Sequence, residues 1–400
     1  MELLSNRVNE LAESETLAMT RISNQLKAQG HDVINLSIGQ PDFNTPKYIK
    51  EAAVEALDKN FTFYPPVPGY ADLREAICLK FKRDNNLEYK PEQIVVSTGA
   101  KQSLANVFMS MVNPGDEIVI PIPYWVTYKE LVKLSEGKAV YIHATVDSDF
   151  KVSPEQVEAA ITDKTRLFIF SSPCNPSGTF YRKEELEALA AVFERHPNVY
   201  IVSDEIYELI NFTGRHESIA QFESIRDRVI IINGVSKGFA MTGWRIGYMA
   251  APAFIAKACD KLQGQITSGA CSIAQRASMA AVLNNPSENP DLKIMVAAFK
   301  DRRDFLLDIL KEIPGLKTNV PDGAFYIFSD CSFYFGKTDG ETIIQDGNDL
   351  SMFLLYQAHV AMVAGNAFGD PNCIRLSYAI SKEDLRKAVT RIKETLARLK

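Results

Sequence analysis

The 400-residue chain carries few of the features that mark a protein for export, a membrane or a nucleic acid. Its six cysteines (Cys78, Cys174, Cys259, Cys271, Cys331 and Cys373) are scattered without a Cys-x-x-Cys pair, which excludes a zinc ribbon and a thioredoxin-type motif. Reduced, buried thiols and no metal centre are expected. No apolar run reaches the ~20 residues of a membrane span, and the opening MELLSNRVNE is charged where a secretory leader would be apolar. Lysine and arginine are outnumbered by acidic residues, 44 to 50, so the net charge of -6 provides no basic footprint for nucleic acid or anionic lipid. A cytoplasmic protein with neither nucleic-acid nor membrane partner is expected. A G-x-G-x-x-G fingerprint is missing, and the GKT at 336–338 lacks the preceding glycine of a P-loop.

What the chain does have is a large apolar complement, 46% hydrophobic against 24% charged residues, enough for two or three packed domains. Short β-branched runs alternate with helical patterns: QIVVS (93–97), EIVI (117–120), AVYI (139–142), LFIF (167–170), VYIVS (199–203) and VIIIN (229–233). Runs that are apolar on both faces fit parallel strands covered by helices, so the fold class is α/β with a mainly parallel central sheet. After residue 285 the rhythm changes to a long helical pattern through Leu292, Met295, Phe299, Leu306 and Ile309, and a last helix opens with the capping pair Ser381 and Asp384. The expected organisation is an N-terminal segment, 1–45, packing with the small domain; a large α/β domain, 46–284; and a smaller α+β domain, 285–400, joined through the long helix.

The segment GVSKG (234–238) follows one of the apolar runs and offers two nucleophiles. Read as G-x-S-x-G it would expose Ser236 on a hydrolase elbow, which needs a helix after the turn and a later histidine. The following GFAMTGWRIGYMA reads as a strand, and the histidine available downstream, His359, lies in the apolar QAHVAMV. Read by its fourth residue, the segment presents the amine of Lys237. A lysine that forms a Schiff base with pyridoxal phosphate (PLP) needs an anion site, a carboxylate for the ring nitrogen, donors for the phenolic oxygen and a platform for the ring. Ser97–Lys101 lies where a strand turns into a helix, Asp204 closes the strand VYIVSD, Tyr207 follows it, and Trp125 and Asn175 each come just after a strand.

Together these stretches resemble the class I aminotransferases of PLP fold type I, in particular their bacterial aspartate aminotransferase branch. The resemblance spans nearly the whole chain and rests on SKGFAMTGWRIGY (236–248), SDEIY (203–207), Pro173–Pro176, GAKQ (99–102), PYWV (123–126), Tyr64 in FTFYPPVPGY, Gly39 in SIGQPDF and Arg375 in IRLSYA. It implies a homodimer with shared active sites that moves an amino group between an amino acid and a 2-oxo acid such as 2-oxoglutarate. It further implies that Lys237 holds PLP and moves the substrate α-proton, that Asp204 pairs with the ring nitrogen, and that Tyr207 and Asn175 bond the phenolic oxygen. Trp125 would stack on the ring. Gly99, Ala100, Lys101, Ser236, Arg245 and the partner's Tyr64 would bind the phosphate. Arg375 and Gly39 would hold the substrate α-carboxylate, while Lys101, Ser14 and the partner's Thr16 would hold a distal carboxylate, which favours aspartate.

Some positions depart from the family pattern. Cys174 stands where many relatives have Asn, Ala100 replaces a frequent glycine, and 331–347 reads as a long loop in the small domain. Ala12 occupies a position that is basic in prephenate-using relatives. Aromatic or prephenate transamination and a PLP-dependent β-lyase on the same fold are the alternatives. A DNA-binding regulator built on this fold is not expected, because SIGQPDF already lies at 37–43.

Overall fold

The computed structural model describes residues 3–13 and 15–400. Its main sheet contains β2 (Ile94–Ser97), β3 (Glu117–Ile122), β4 (Lys138–His143), β5 (Thr165–Ser171), β6 (Tyr200–Asp204), β7 (Val229–Gly234) and β8 (Gly247–Ala250), in the spatial order β2-β8-β7-β6-β5-β3-β4. These are the runs legible in the sequence, with ends shifted by one or two residues. Side chains alternate strictly across the sheet: Phe168 and Phe170 enter one buried cluster with Val119, Ile201 and Ile231, while Leu167 and Ile169 enter the other with Ile118, Val202 and Ile230. Both faces are therefore dry, as parallel strands between helical layers require.

The sheet is mainly parallel, as expected, but one expectation about it needs correction. AVYI is not buried on both faces: β4 is an edge strand paired only with β3, and Tyr141 is 41% exposed. The strand after GVSKG, β8, runs antiparallel to both of its neighbours, β7 and β2, so the sheet is mixed at that side.

A second core gathers around a four-stranded antiparallel sheet, β12-β13-β10-β9, made of β9 (Lys317–Thr318), β10 (Tyr326–Asp330), β12 (Val363–Ala364) and β13 (Cys373–Ser377). The helices Pro290–Leu310 and Lys382–Leu396 pack on it through Leu292, Met295, Phe299, Leu306, Leu385 and Ile392. Ser381 caps the last helix by accepting the Asp384 N–H at 3.0 Å, and its hydroxyl donates to the Asp384 carboxylate. The N-terminal segment joins this core. Strand β1 (Ile34–Asn35) pairs in parallel with β11 (Val360–Ala361), and the Ser377 N–H donates to the Leu36 carbonyl at 2.8 Å. In the stretch 331–347 Thr338 bridges Ile343 and exchanges backbone hydrogen bonds with Lys400.

All six cysteines are free, but they are not all buried: Cys271 is exposed, and Cys78 and Cys174 are partly so. Among the described residues no helix is long and apolar enough to cross a membrane.

Candidate active site

The carboxyl ends of β5, β6 and β7 open onto one pocket, where side chains from both sheets meet. Asp204 is the last residue of β6 and is buried. Its Oδ2 accepts the Tyr128 hydroxyl at 2.7 Å, and its Oδ1 accepts only a long backbone bond, 3.3 Å from Ile206 N. Burial drives the carboxyl up to about 6, against the lowering effects of the Tyr128 hydrogen bond and the Lys237 charge.

Lys237 leaves the turn after β7, and its Nζ donates to the Gly39 carbonyl at 2.6 Å, above the rings of Tyr207 and Phe325. Burial, then the positive charges of Arg375 and Arg245, lower its ammonium to about 8. Ser236 is buried beside it, and between the turn and β8 there is only one 3-10 turn, Thr242–Trp244, and no α-helix. His359 packs its ring against His31 at 4.6 Å and, among the described residues, forms no hydrogen bond with Ser236, so the hydrolase elbow is not assembled.

The anion-binding turn has a specific geometry. Gly99 caps helix Ala100–Met111 with φ 84°, a left-handed conformation that favours glycine. A Cβ there would lie 2.2 Å from Arg245 Nη2, so the guanidinium rests directly on the turn. Ala100 begins the helix, where its side chain is harmless, and the Ala100 and Lys101 N–H groups belong to the first turn, which lacks internal acceptors. Gln263, fully buried, accepts from Ser97 Oγ at 2.7 Å and donates to the Val67 and Val96 carbonyls, fixing the end of β2. The Lys101 ammonium stands 5.0 Å from the Trp125 ring centre, and Trp125 meets Tyr128 edge-on. Burial, and then Arg245, lower the Lys101 ammonium below its usual range.

Arg375 projects from β13. Its Nη1 donates to Asn175 Oδ1 at 2.9 Å and its Nη2 to the Ser37 carbonyl at 2.7 Å, while its buried Nε lacks an acceptor. The guanidinium lies 4.4 Å from the Tyr326 ring centre, and the Tyr326 hydroxyl is 2.8 Å from that of Tyr207. At Gly39 a Cβ would come within 3.1 Å of the Tyr326 hydroxyl, so a side chain would crowd the pocket.

Four cations thus converge, and each is held by neutral groups: Lys237, Arg245 and Arg375 by carbonyl or amide oxygens, and Lys101 by an indole face. Such a pocket favours a ligand with several negative charges. Sequence reading missed Tyr128, Tyr326, Ser37 and Gln263. Only Tyr128 left a signal, three residues after Trp125 and hence one helical turn away.

Three named positions lie apart from this cluster. Tyr64 is 95% exposed. The Thr16 carbonyl accepts from Thr20 Oγ1, itself 3.5 Å from Ser37 Oγ, and among the described residues its hydroxyl makes no hydrogen bond to this cluster. Ser14 lies outside the described residues.

Comparison with known proteins follows the same outline. The family profile described as aminotransferase class I and II matches residues 31–392. An aspartate/prephenate aminotransferase of Nitrosomonas europaea is 43% identical over 398 residues, covering 98% of this chain and 100% of that protein. The aspartate aminotransferase from Rhizobium meliloti superimposes with a TM-score of 0.96 at 40% identity, covering 100% of both chains. That of Thermus thermophilus, solved with maleate, gives 0.93 at 39% identity, covering 99% of this chain and 100% of the other.

Proposed function

This chain belongs to the class I and II aminotransferase family, and from that premise we propose that it transfers the amino group of L-aspartate to 2-oxoglutarate with PLP as cofactor. The observation that carries the reading is the set of four cations held only by neutral partners around one buried carboxylate. One phosphate and two substrate carboxylates would supply the missing negative charge.

The residues present fit PLP. Gly99, the first turn of helix Ala100–Met111 and Arg245 form a phosphate cradle that a Cβ at Gly99 would fill. Asp204 offers Oδ1 to a ring nitrogen because Tyr128 already occupies Oδ2. Asn175 commits its amide oxygen to Arg375, which leaves its NH2 for a phenolic oxygen, and Tyr207 would share that role. When bound, PLP supplies an aldehyde that takes up the amine and a ring that accepts the electron pair released at the substrate α-carbon.

The protein's own contribution is binding, orientation and proton transfer. Arg375 offers its vacant Nε–H and the outer edges of its fork to the α-carboxylate, and Asn175 and Ser37 fix the plane of that fork. Lys101 would meet the distal carboxylate, with Ser14 and the partner's Thr16 completing that contact. Lys237 Nζ, brought to about 8 by burial and neighbouring cations, is partly neutral near physiological pH and suits the task of accepting the α-proton. Asp204 stays ionised opposite a cationic partner, so the pocket stabilises charge on the ring nitrogen rather than on water.

Tyr64 supports a homodimer. With its neighbour Phe63, 80% exposed, it forms an aromatic projection suited to a second subunit's phosphate site. Free cysteines throughout agree with a cytoplasmic setting.

The reading is tested by mixing purified protein with each common amino acid and 2-oxoglutarate. Aspartate should give the highest kcat/KM. An aromatic amino acid ahead of aspartate would shift the assignment to the aromatic or prephenate alternative, and pyruvate release from cystathionine without transamination would replace it with a β-lyase.

A further inference from the structure

Directly behind Asp204 and Tyr207, facing away from the pocket, the same segment buries a second set of ionisable groups. Glu205, Glu208 and His216 present ligand-type atoms that all lie within 4.8 Å of one another. Their side chains are only 1%, 4% and 6% exposed. Glu205 Oε1 is satisfied by the hydroxyls of Ser203 at 2.9 Å and Ser218 at 2.6 Å. Among the described residues its Oε2 has no hydrogen-bond partner, and neither does either ring nitrogen of His216.

The missing hydrogen bond is informative because the atoms are close. His216 Nε2 lies 3.0 Å from Glu205 Oε2, near enough for a hydrogen bond but outside its directional range. A protonated ring would aim its N–H at the carboxylate. Two donors that share one metal ion instead point at the ion: with bonds of about 2.1 Å at a tetrahedral angle they sit about 3.4 Å apart, a few tenths of an ångström more than the present separation, so a small shift of the His216 ring would admit the ion. The charges agree. Glu205 and Glu208 face the ammonium of Lys80, which contacts Glu208 and donates to Asn85 Oδ1 at 2.9 Å, while the nearby Arg83 guanidinium is already paired with Asp84 at 2.6 Å. One buried negative charge is left over. Access also exists, because Glu208 and His216 line a cavity of about 790 Å³.

We propose that Glu205, Glu208 and His216 bind a divalent transition-metal ion of the zinc type, with the cavity supplying the remaining coordination position. Mixed imidazole and carboxylate donors suit zinc better than calcium or magnesium. The ion would tie the loop carrying His216 to the end of β6, immediately behind Asp204, and so brace the carboxylate from outside the reaction pocket. The sequence offers no metal-binding spacing for this set, since the histidine follows the second glutamate by eight residues across an irregular loop.

Zinc uptake is read without turnover, so the result stands apart from the assignment of aspartate. PLP-loaded protein is dialysed against a chelator and titrated with Zn2+ against a chromophoric competitor. One equivalent per chain should bind with a Kd at or below about 1 μM. His216→Gln and Glu205→Gln, both nearly isosteric and checked for folding by circular dichroism, should each weaken binding at least tenfold, on the order of the loss when a metal site's support is removed. Cys271→Ser should leave binding unchanged, which excludes the exposed thiol as the ligand. Uptake weaker than about 10 μM in the wild type, undiminished uptake in either glutamine variant, or loss in Cys271→Ser overturns the proposal.

Discussion

The Tyr128 hydroxyl donates to Asp204 Oδ2 at 2.7 Å, so a tyrosine one helical turn beyond the pocket's tryptophan decides which oxygen of the buried carboxylate faces inward. Removing it with Tyr128→Phe takes away an interaction that holds the Asp204 carboxyl below the value burial alone would impose. A hydrogen bond to a charged group contributes about 1.5 to 3 kcal/mol, so PLP affinity of the cofactor-free protein should fall roughly 10- to 150-fold. The loss of affinity on acidification should also begin at higher pH, because Asp204 must be ionised to pair. Fluorescence titration with PLP across pH 5 to 8 measures both, and an unchanged affinity and profile would remove Tyr128 from the cofactor's support.

Lys237 makes the stability of the cofactor-free protein depend on pH. Its folded-state pKa, about 8, lies below the ordinary 10.5, so between these values the unfolded chain binds the proton more readily than the native one. Stability attributable to this residue therefore rises as pH increases from 8 to 10.5, by at most about 3 kcal/mol. Urea denaturation of cofactor-free wild type and Lys237→Met at pH 8, 9 and 10 isolates the effect as a widening difference in favour of the wild type. Parallel curves would mean that the ammonium is hydrated rather than buried.

Borohydride reduction of the PLP-loaded protein should fix one cofactor per chain on Lys237, located by peptide mass. An adduct on Lys101, the other amine of the pocket, would exchange the roles of the two lysines.

Preference for acidic substrates rests on Lys101. Lys101 is exposed in the single chain, so its contact with a substrate carboxylate is that of a charged hydrogen bond, about 1.5 to 3 kcal/mol, and Lys101→Ala should reduce kcat/KM for aspartate by roughly 10- to 150-fold. Phenylalanine, which leaves no carboxylate unpaired, should lose far less. Equal losses would assign Lys101 to the cofactor or to the packing of Trp125.

The α/β class and the six runs of the central sheet were legible because strands buried on both faces carry an unbroken apolar signal, as in LFIF and VIIIN. Orientation was not. Nothing in GYMA marks it as the strand that runs against its neighbours, since an antiparallel strand inside a covered sheet has the same composition as a parallel one. Edge position escaped for the related reason that AVYI is as apolar as its buried counterparts. Within the candidate site, Lys237, Asp204 and Asn175 stand out in short motifs at strand ends, Arg375, at the middle of β13, is named by the family resemblance alone, and the structure brings the four close together. Tyr326 and Gln263 were not found. Tyr326 is a polar group inside an apolar run and Gln263 is one of several polar residues on its helix, and only the tertiary fold shows that the Tyr326 hydroxyl reaches Tyr207 or that the Gln263 amide ties down the end of β2.

The place of β2 in the sheet constrains the time at which the pocket can exist during synthesis. Although β2 is the first of the seven strands to be made, it stands at the margin and is joined only to β8, with Ile94 opposite Ala250. Gly99 and Arg245, which meet at the end of that pair, are likewise supplied by opposite ends of the sheet's sequence. A nascent chain that stops before residue 245 has made every other strand of the sheet and the lysine turn as well, yet it lacks both the arginine and the strand that secures the glycine turn. Long-range pairing of this kind comes late in folding. On the proposed reading, cofactor capture would wait on completion of the large sheet, and chains interrupted earlier would carry the amine of Lys237 without the Gly99–Arg245 cradle.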